Sequence, residues 1–191
     1  MFLYILPSVT LVYCLLSELF QLLREERAKE AENRLIMSRY HVMKFNLIIH
    51  NFPEFGGPGS PESQAESIMQ VEHFLYVILG MQNAHKIRIR TAYRLMHHRN
   101  NPKPLMFKLA RMSDKMDVLV NLKALKGYNR GRERSVYVVE QLPYEFDFQR
   151  KKLLPSYLSA KNAGLKPKWR VDSLNAQYYY KIGSDCYYAD T

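Results

Sequence analysis

Lysines and arginines are concentrated in one stretch of the chain that is suited to binding a polyanion. Fourteen of the 28 Lys/Arg lie between Lys86 and Arg134 with only three Asp/Glu, so this basic segment carries a net charge of +11, whereas the whole chain carries +10. Eight of the fourteen are arginines, whose planar guanidinium suits phosphate and base recognition. The segment predicts binding to nucleic acid, most simply single-stranded RNA or single-stranded DNA. The alternative is that these cations only keep an exposed strand edge solvated, which prevents aggregation.

The pattern of reactive side chains does not favour catalysis. The sequence contains no phosphate-binding P-loop, no dinucleotide fingerprint and no HExxH helix. The six histidines are scattered apart from the adjacent pair His97 and His98, and Cys14 and Cys186 lie near opposite ends of the chain. We therefore predict no catalytic residue, no metal site and no cofactor.

The N-terminal residues 1–44 are predicted to form a helix with an apolar start. Residues 1–23 contain a single charged residue, Glu18, which leaves two interpretations open: insertion into a membrane, or an amphipathic or coiled-coil helix that begins after Pro7. Over residues 8–44, apolar residues that recur with a period of 3.5 form one a/d seam of the kind seen in oligomerising coiled-coil helices. Polar residues interrupt the middle of this seam. That seam contains Val12, Leu15, Leu19, Leu22, Ile36, Tyr40 and Met43.

Hydrophobic periodicity over residues 45–143 predicts two helices among four strands. The predicted elements are a strand over 46–52, a helix capped by Ser60 or Ser63 and closed by Gly80, strands over 86–90 and 105–109, a helix from 113 to 127, and a strand over 136–142. This β-α-β-β-α-β order predicts the ferredoxin-like arrangement of RNA-recognition motifs (RRMs). Residues 144–191 are predicted to form a small domain of one helix and a hairpin. The expected fold class is therefore α+β.

Four ordered sequence blocks resemble a known family. They are NLIIHNFPE, YRLMHHRNNPKPLMFKLAR, DVLVNLKALKG and QRKKLLPSYLSAKNAGLKPKWRVDSL, and the likeness extends over about residues 30 to 183. They resemble the nucleic-acid-binding protein encoded by the first reading frame of LINE-type non-LTR retrotransposons, which is also seen in transposase-22-like genes. The chain departs from the family at its N-terminus, where a short helix with a broken seam replaces a long, regular coiled coil.

The resemblance implies an organisation and a function. It implies a coiled coil, then an RRM-type domain, then a small C-terminal domain, with single-stranded RNA in a basic cleft between the two domains. It also implies a homotrimer through residues 8–44 and nucleic-acid chaperone activity during ribonucleoprotein formation. The expected location is a cytoplasmic ribonucleoprotein, with the nucleus as the alternative.

The candidate nucleic-acid-binding residues have two origins. The basic segment itself nominates Arg88, Arg90, Arg130 and Arg132. The resemblance implies further contacts at Arg94, Arg99, Lys108, Arg111, Arg150, Lys151 and Arg170. Phe107 is expected in the core rather than on a base-stacking surface, because it is flanked by Met and Leu in a strand.

A rival interpretation places the protein in a different functional class. If residues 1–23 insert in a membrane, the basic face would meet anionic lipid headgroups, and the protein would be a membrane-tethered interaction module. In that case Arg24, Arg27 and Lys29 would hold the rest of the chain in the cytosol.

Overall fold

The computed structural model describes residues 6–55, 62–95 and 102–189. The mixed α and β content and the long N-terminal helix confirm the predicted α+β class and the predicted N-terminal helix. The chain divides into two compact units. The central unit is Val42–Leu142, and the terminal unit combines Met1–His41 with Pro143–Thr191. The N-terminal helix is therefore grouped with the C-terminal segment.

The central unit contains four strands and the helices between them. Its elements are β1 (Asn46–His50), α2 (Gln64–His73) continued by a π-helical turn (Phe74–Ile78), a 3-10 turn (Ala84–Lys86), β2 (Ile89–Arg94), β3 (Leu105–Leu109), α3 (Met112–Asn121), a second 3-10 turn (Leu122–Ala124), α4 (Leu125–Tyr128) and β4 (Tyr137–Glu140). The strands form one sheet in the order β2-β3-β1-β4, and all neighbours are antiparallel.

One face of this sheet packs against the helices, because side chains alternate along each strand. Leu47 and Ile49 of β1 belong to the same buried cluster as Leu105 and Phe107 of β3. Helix α2 and the turn after it add apolar residues such as Phe74. The complete burial of Phe107 confirms its predicted place in the core. The opposite face of the sheet presents the alternate residues of each strand.

Helix α2 begins where its capping chemistry predicts. Of the two serines considered, Ser63 is the N-cap: its hydroxyl accepts from the Glu66 N–H, and its own N–H donates to the Glu66 carboxylate at 2.7 Å. These hydrogen bonds with Ser63, the backbone one foremost, lower the pKa of Glu66. The helical segment closes before Gly80, whose φ of +66° favours glycine.

Two predicted strands differ in their bounds from the strands observed. The expected strand over 86–90 is wrong in its first half, because Lys86 ends a 3-10 turn and β2 begins at Ile89. Strand β1 ends at His50, since Asn51 adopts a positive φ of 58° that breaks the extended conformation. A β-bulge lies between Ile89 and Thr91, where β2 shifts its register against β3.

The terminal unit contains two helices and a second sheet. Its elements are α1 (Leu6–Met43, whose last two residues fall in the central unit), α5 (Tyr144–Asn162), β5 (Lys168–Asp172), β6 (Gln177–Ile182) and β7 (Asp185–Tyr188). The strands are antiparallel in the order β5-β6-β7. The predicted hairpin is thus incomplete: Gly183, with a φ of 58°, opens a second tight turn that returns the chain as β7.

The end of α1 packs on α5 within the terminal unit. The Arg39 guanidinium lies 2.8 Å from the Glu145 carboxylate, and the Tyr40 and Phe146 ring centroids are 5.5 Å apart. Ile36 is also buried. The second half of the predicted coiled-coil seam is therefore used within the chain. Among the described residues, none of the helices is both long and apolar enough to cross a membrane.

Candidate nucleic-acid interface

Four of the predicted contact residues meet at one corner of the central sheet. Because β2 and β3 are antiparallel, the start of β2 lies beside the end of β3. The Ala110 N–H donates to the Arg88 carbonyl at 3.0 Å, which joins the two segments just outside the strands. Arg88, Arg90, Lys108 and Arg111 therefore share this corner, which we call the basic corner.

The side chains of the basic corner are available to a ligand. The three arginines, Arg88, Arg90 and Arg111, are exposed, and Lys108 is half-buried. In the part of the chain that the structure describes, none of the four forms a salt bridge with a carboxylate. Four cations without such neutralisation concentrate a positive potential at the corner, where phosphate oxygens are the natural partners.

Arg130 and Arg132 lie at the other end of the same sheet. Both are exposed in the loop that leads to β4. The Asn51 side chain donates to the Ser135 carbonyl at 2.9 Å, which ties this loop to the far end of β1. Since β1 has five residues, the two basic groups are separated by roughly 16 Å along the strand direction. The Arg132 guanidinium lies 3.9 Å from the centroid of the Tyr128 ring.

Aromatic rings lie on the face of the sheet that is opposite the helices, toward the end that carries Arg130 and Arg132. Tyr93 and Tyr137 are each 48% exposed. The rings of His50 and Tyr137 stack with centroids 4.6 Å apart and an interplanar angle of 6°. We did not nominate these residues from the sequence, although strand alternation from the buried Leu47 would have placed His50 on this face.

Arg94 does not belong to the interface, contrary to the expectation from the family resemblance. Its side chain is only 5% exposed and forms a salt bridge of 3.1 Å with Glu62. All five guanidinium N–H groups have acceptors inside the central unit. Nε donates to Glu62, Nη1 to the carbonyls of Phe52 and Lys103, and Nη2 to the Pro53 carbonyl and the Gln70 amide oxygen.

The β-bulge explains why Arg88 and Arg94 face different environments. An even spacing in an uninterrupted strand would put Arg88, Arg90 and Arg94 on one face. The extra residue between Ile89 and Thr91 moves every later side chain to the opposite face. Arg94 therefore points toward the helices, while Arg88 and Arg90 remain exposed.

A second cation of the basic segment is also structural. The Lys115 ammonium lies 2.6 Å from the Glu140 carboxylate and donates to the Lys44 carbonyl at 2.6 Å. Its side chain is 4% exposed. The net charge of the segment therefore overstates the charge that is presented to a ligand.

Arg150 and Lys151 lie in the second turn of α5 and share one carboxylate. The Asp147 oxygens lie 2.5 Å from the Arg150 guanidinium and 2.8 Å from the Lys151 ammonium. Burial raises the pKa of Asp147, but the combined hydrogen bonds and charges of Lys151 and Arg150 outweigh it, so the pKa lies below its usual range. These two predicted contacts are partly neutralised.

Removal of the Asp147 charge is expected to release both cations. Asp147→Asn should tighten single-stranded RNA binding by about two- to fivefold. This factor corresponds to the interaction free energy of a partly exposed ion pair, which RNA no longer has to displace. Fluorescence anisotropy with a labelled oligonucleotide measures this change. Asp117→Asn removes the same charge from an exposed residue of α3 that has no salt bridge among the described residues, and it should leave the affinity unchanged. Equal effects of the two variants would contradict release of the cations.

The contribution of the Asp147 carboxylate to the stability of the fold depends on pH. Because the folded-state pKa of Asp147 is lowered, its contribution to stability is full above the ordinary aspartate pKa, near about 4, and is lost as the pH falls through the lowered value. The difference in unfolding free energy between the parent and Asp147→Asn should therefore shrink in acid. Denaturant unfolding at neutral and acidic pH measures it.

The remaining predicted residues lie elsewhere. Arg170 is exposed on β5 in the terminal unit. Arg99 falls outside the described residues, as do His97 and His98. In the described ranges, no group of three or more His, Cys, Asp or Glu side chains is arranged to hold a metal ion.

No protein-family model and no curated protein sequence matched this chain. The residues and geometry of the chain itself are therefore the basis for proposing its function.

Proposed function

We propose that this protein binds single-stranded RNA and accepts single-stranded DNA as a second ligand. The observation that carries the proposal is the basic corner, where Arg88, Arg90, Lys108 and Arg111 converge without a carboxylate partner among the described residues. Arg130 and Arg132 extend the positive surface at the other end of the sheet. A single strand that runs from the basic corner to the Arg130 end of the sheet would meet both groups.

The exposed tyrosines of the sheet, Tyr93 and Tyr137, favour an unpaired strand. A base can stack on Tyr93, or on the His50–Tyr137 pair, only when it is not enclosed in a duplex. Phosphate contacts alone would not separate single strands from duplex. The combination of cations at the corner and rings on the sheet is therefore the basis of the proposed preference.

We further propose that the central unit is an RRM-type domain with the ferredoxin-like arrangement. The chain order β1-α2-β2-β3-α3-β4 and the sheet order β2-β3-β1-β4 support this assignment. With the sequence blocks described above, it supports a role as the nucleic-acid-binding protein of a LINE-type retrotransposon ribonucleoprotein. The proposed location is the cytoplasm or the nucleus.

A titration across salt tests RNA binding directly. The full chain is titrated into a labelled single-stranded RNA and into the matching duplex by fluorescence anisotropy. The four cations of the basic corner alone would give a slope of log K against log salt of about −3 for the single strand, and contacts with Arg130 and Arg132 would make it steeper. Salt-independent binding, or equal affinity for the duplex, would contradict the proposal.

Nucleic-acid chaperone activity follows from the same contacts. Phosphate contacts are individually weak and exchangeable, so they can bring complementary strands together without trapping one conformation. The protein should accelerate annealing of complementary oligonucleotides, measured by fluorescence quenching. A parent protein that binds RNA but leaves the annealing rate unchanged would remove the chaperone role and leave the binding role in place.

We also propose that α1 associates with copies of itself. Nine large apolar residues in the first half of the helix are at least 40% exposed: Leu11, Val12, Tyr13, Leu15, Leu16, Leu19, Phe20, Leu22 and Leu23. A helix that is apolar all round is normally buried. The predicted homotrimer would use this apolar run, because the seam residues Ile36 and Tyr40 are already packed within the chain.

Charged substitutions in the apolar run should dissociate the oligomer. Leu15→Asp/Leu19→Asp is expected to convert the protein to a monomer, because a buried carboxylate in a helical interface is strongly unfavourable. Light scattering coupled to size exclusion measures the mass. Leu35→Asp, at an exposed position outside the predicted seam of the same helix, should leave the mass unchanged. The membrane-tethered alternative would be favoured if the parent protein is a monomer that binds lipid vesicles and the double variant does not bind them.

A further inference from the structure

The two faces of the three-stranded sheet in the terminal unit differ in what they present. On one face, Tyr178 and Tyr180 are buried and contact rings of α5: Tyr178 lies 5.8 Å from Phe146, and Tyr180 lies 5.6 Å from Tyr157. The Trp169 ring stacks on Tyr157 at 4.4 Å. This face accounts for the packing of the sheet on its helix.

The alternate residues of the same strands form the opposite face. Cross-strand pairing puts Arg170 beside Tyr179 and Tyr179 beside Tyr188 in one row. The adjacent row contains Lys168, Lys181 and Cys186. We call this surface the C-terminal platform, and it consists of Lys168, Arg170, Tyr179, Lys181, Cys186 and Tyr188.

The platform combines stacked rings with cations. The ring centroids of Tyr179 and Tyr188 are 4.7 Å apart, with an interplanar angle of 23°. Tyr188 is 42% exposed, and Tyr179 is half-buried. Lys168 and Arg170 are exposed, so the rings are flanked by positive charge.

The carboxylate at the end of this face is engaged in a turn. Asp172 accepts from the N–H groups of Leu174 and Asn175 and from the Asn175 side chain at 3.0 Å. These hydrogen bonds, with the Asn175 side chain first, lower the pKa of Asp172. Asp172 forms no salt bridge with a platform cation among the described residues.

We propose that the C-terminal platform is a base-stacking subsite for single-stranded RNA, an inference that depends on the proposed function above. Bases stack on the Tyr179–Tyr188 pair, and Lys168, Arg170 and Lys181 contact the adjacent phosphates. Surfaces that bind single strands with little sequence preference combine these two features. A face that only kept the sheet soluble would need the cations but not the exposed ring pair.

The two cysteines of the chain allow the subsite to be mapped in the unmodified protein. Cys186 is exposed on the platform, and Cys14 is exposed on α1. Alkylation of each thiol by iodoacetamide is followed by mass spectrometry, with and without saturating single-stranded RNA. If about nine-tenths of the protein is bound, the Cys186 rate should fall about tenfold because the rate follows the free fraction. The Cys14 rate should not change.

The outcomes separate this inference from the proposed function. RNA that binds by anisotropy but leaves the Cys186 rate unchanged would overturn the platform subsite while the proposed function stands. Absence of any RNA binding would overturn both. Protection of Cys186 by an acidic peptide but not by RNA would assign the platform to a protein partner and overturn the inference.

Substitution of one platform ring gives an independent measurement. Tyr188→Leu should weaken single-stranded RNA binding by about tenfold, the order expected for one base–aromatic stack, and Tyr188→Phe should retain the parent affinity. Tyr144→Leu is the matched control, since Tyr144 is exposed on α5 in the same unit but lies outside the platform. A Tyr188→Leu protein that unfolds at the parent's midpoint and binds RNA like the parent would overturn the inference.

Discussion

Arg88→Glu/Arg111→Glu is expected to weaken single-stranded RNA binding by about a hundredfold or more at low salt. Both side chains are exposed at the basic corner, and the substitution replaces two phosphate contacts with two repulsive charges. The slope of log K against log salt should become shallower by about 1.4, because two fewer phosphates are neutralised. Anisotropy titrations at several salt concentrations measure both quantities.

The matched control reverses two charges on the helical side of the same unit. Lys123→Glu/Lys126→Glu changes the net charge equally, and both lysines are exposed between α3 and the end of α4. If RNA responded only to the net charge of the protein, the two double variants would lose affinity equally. That result would exclude the basic corner as a defined binding site.

The second large effect concerns stability rather than binding. Arg94→Lys is expected to lower the free energy of unfolding by about 2–5 kcal/mol, because at least two of the acceptors around this buried side chain lose their donor. A lysine ammonium has three donors and no planar fork, so it cannot serve the five acceptors that the Arg94 guanidinium joins. Chemical denaturation followed by circular dichroism measures the difference.

A conservative change nearby provides the comparison. Arg90→Lys alters an exposed residue of the same strand and should leave the unfolding free energy within about 0.5 kcal/mol of the parent. The folded Arg94→Lys protein should bind RNA with the parent's affinity, because Arg94 has no donor free for phosphate. A stable Arg94→Lys protein with weakened binding would restore Arg94 to the interface.

Arg88 and Arg94 show how far residue types alone can locate a binding surface. Both belong to the same basic segment and both were expected to contact RNA. The difference between them comes from a single β-bulge, which reverses the facing of β2 after Ile89. Bulges have no reliable local signature in one sequence, so residue types alone did not show which arginines of the basic segment are exposed and which are buried.

Local patterns were sufficient for the order of the elements. One of the two serines expected to cap α2, Ser63, is its N-cap, and Phe107 lies in the core as its apolar neighbours in the strand predicted. The third strand of the terminal sheet was missed because Asp185–Tyr188 has only four residues and shows no clear alternation of apolar and polar side chains. Its pairing with β6 depends on the turn at Gly183.

The sequence by itself determined the α+β composition, the long N-terminal helix and the concentration of charge between Lys86 and Arg134, because periodicity and charge are local properties. The tertiary structure decided which of those cations meet solvent. Arg94 is held by acceptors up to 42 residues away, and the Lys115 ammonium donates to a carbonyl 71 residues away. Burial of a cation requires acceptors from distant segments, and only the folded arrangement brings them together.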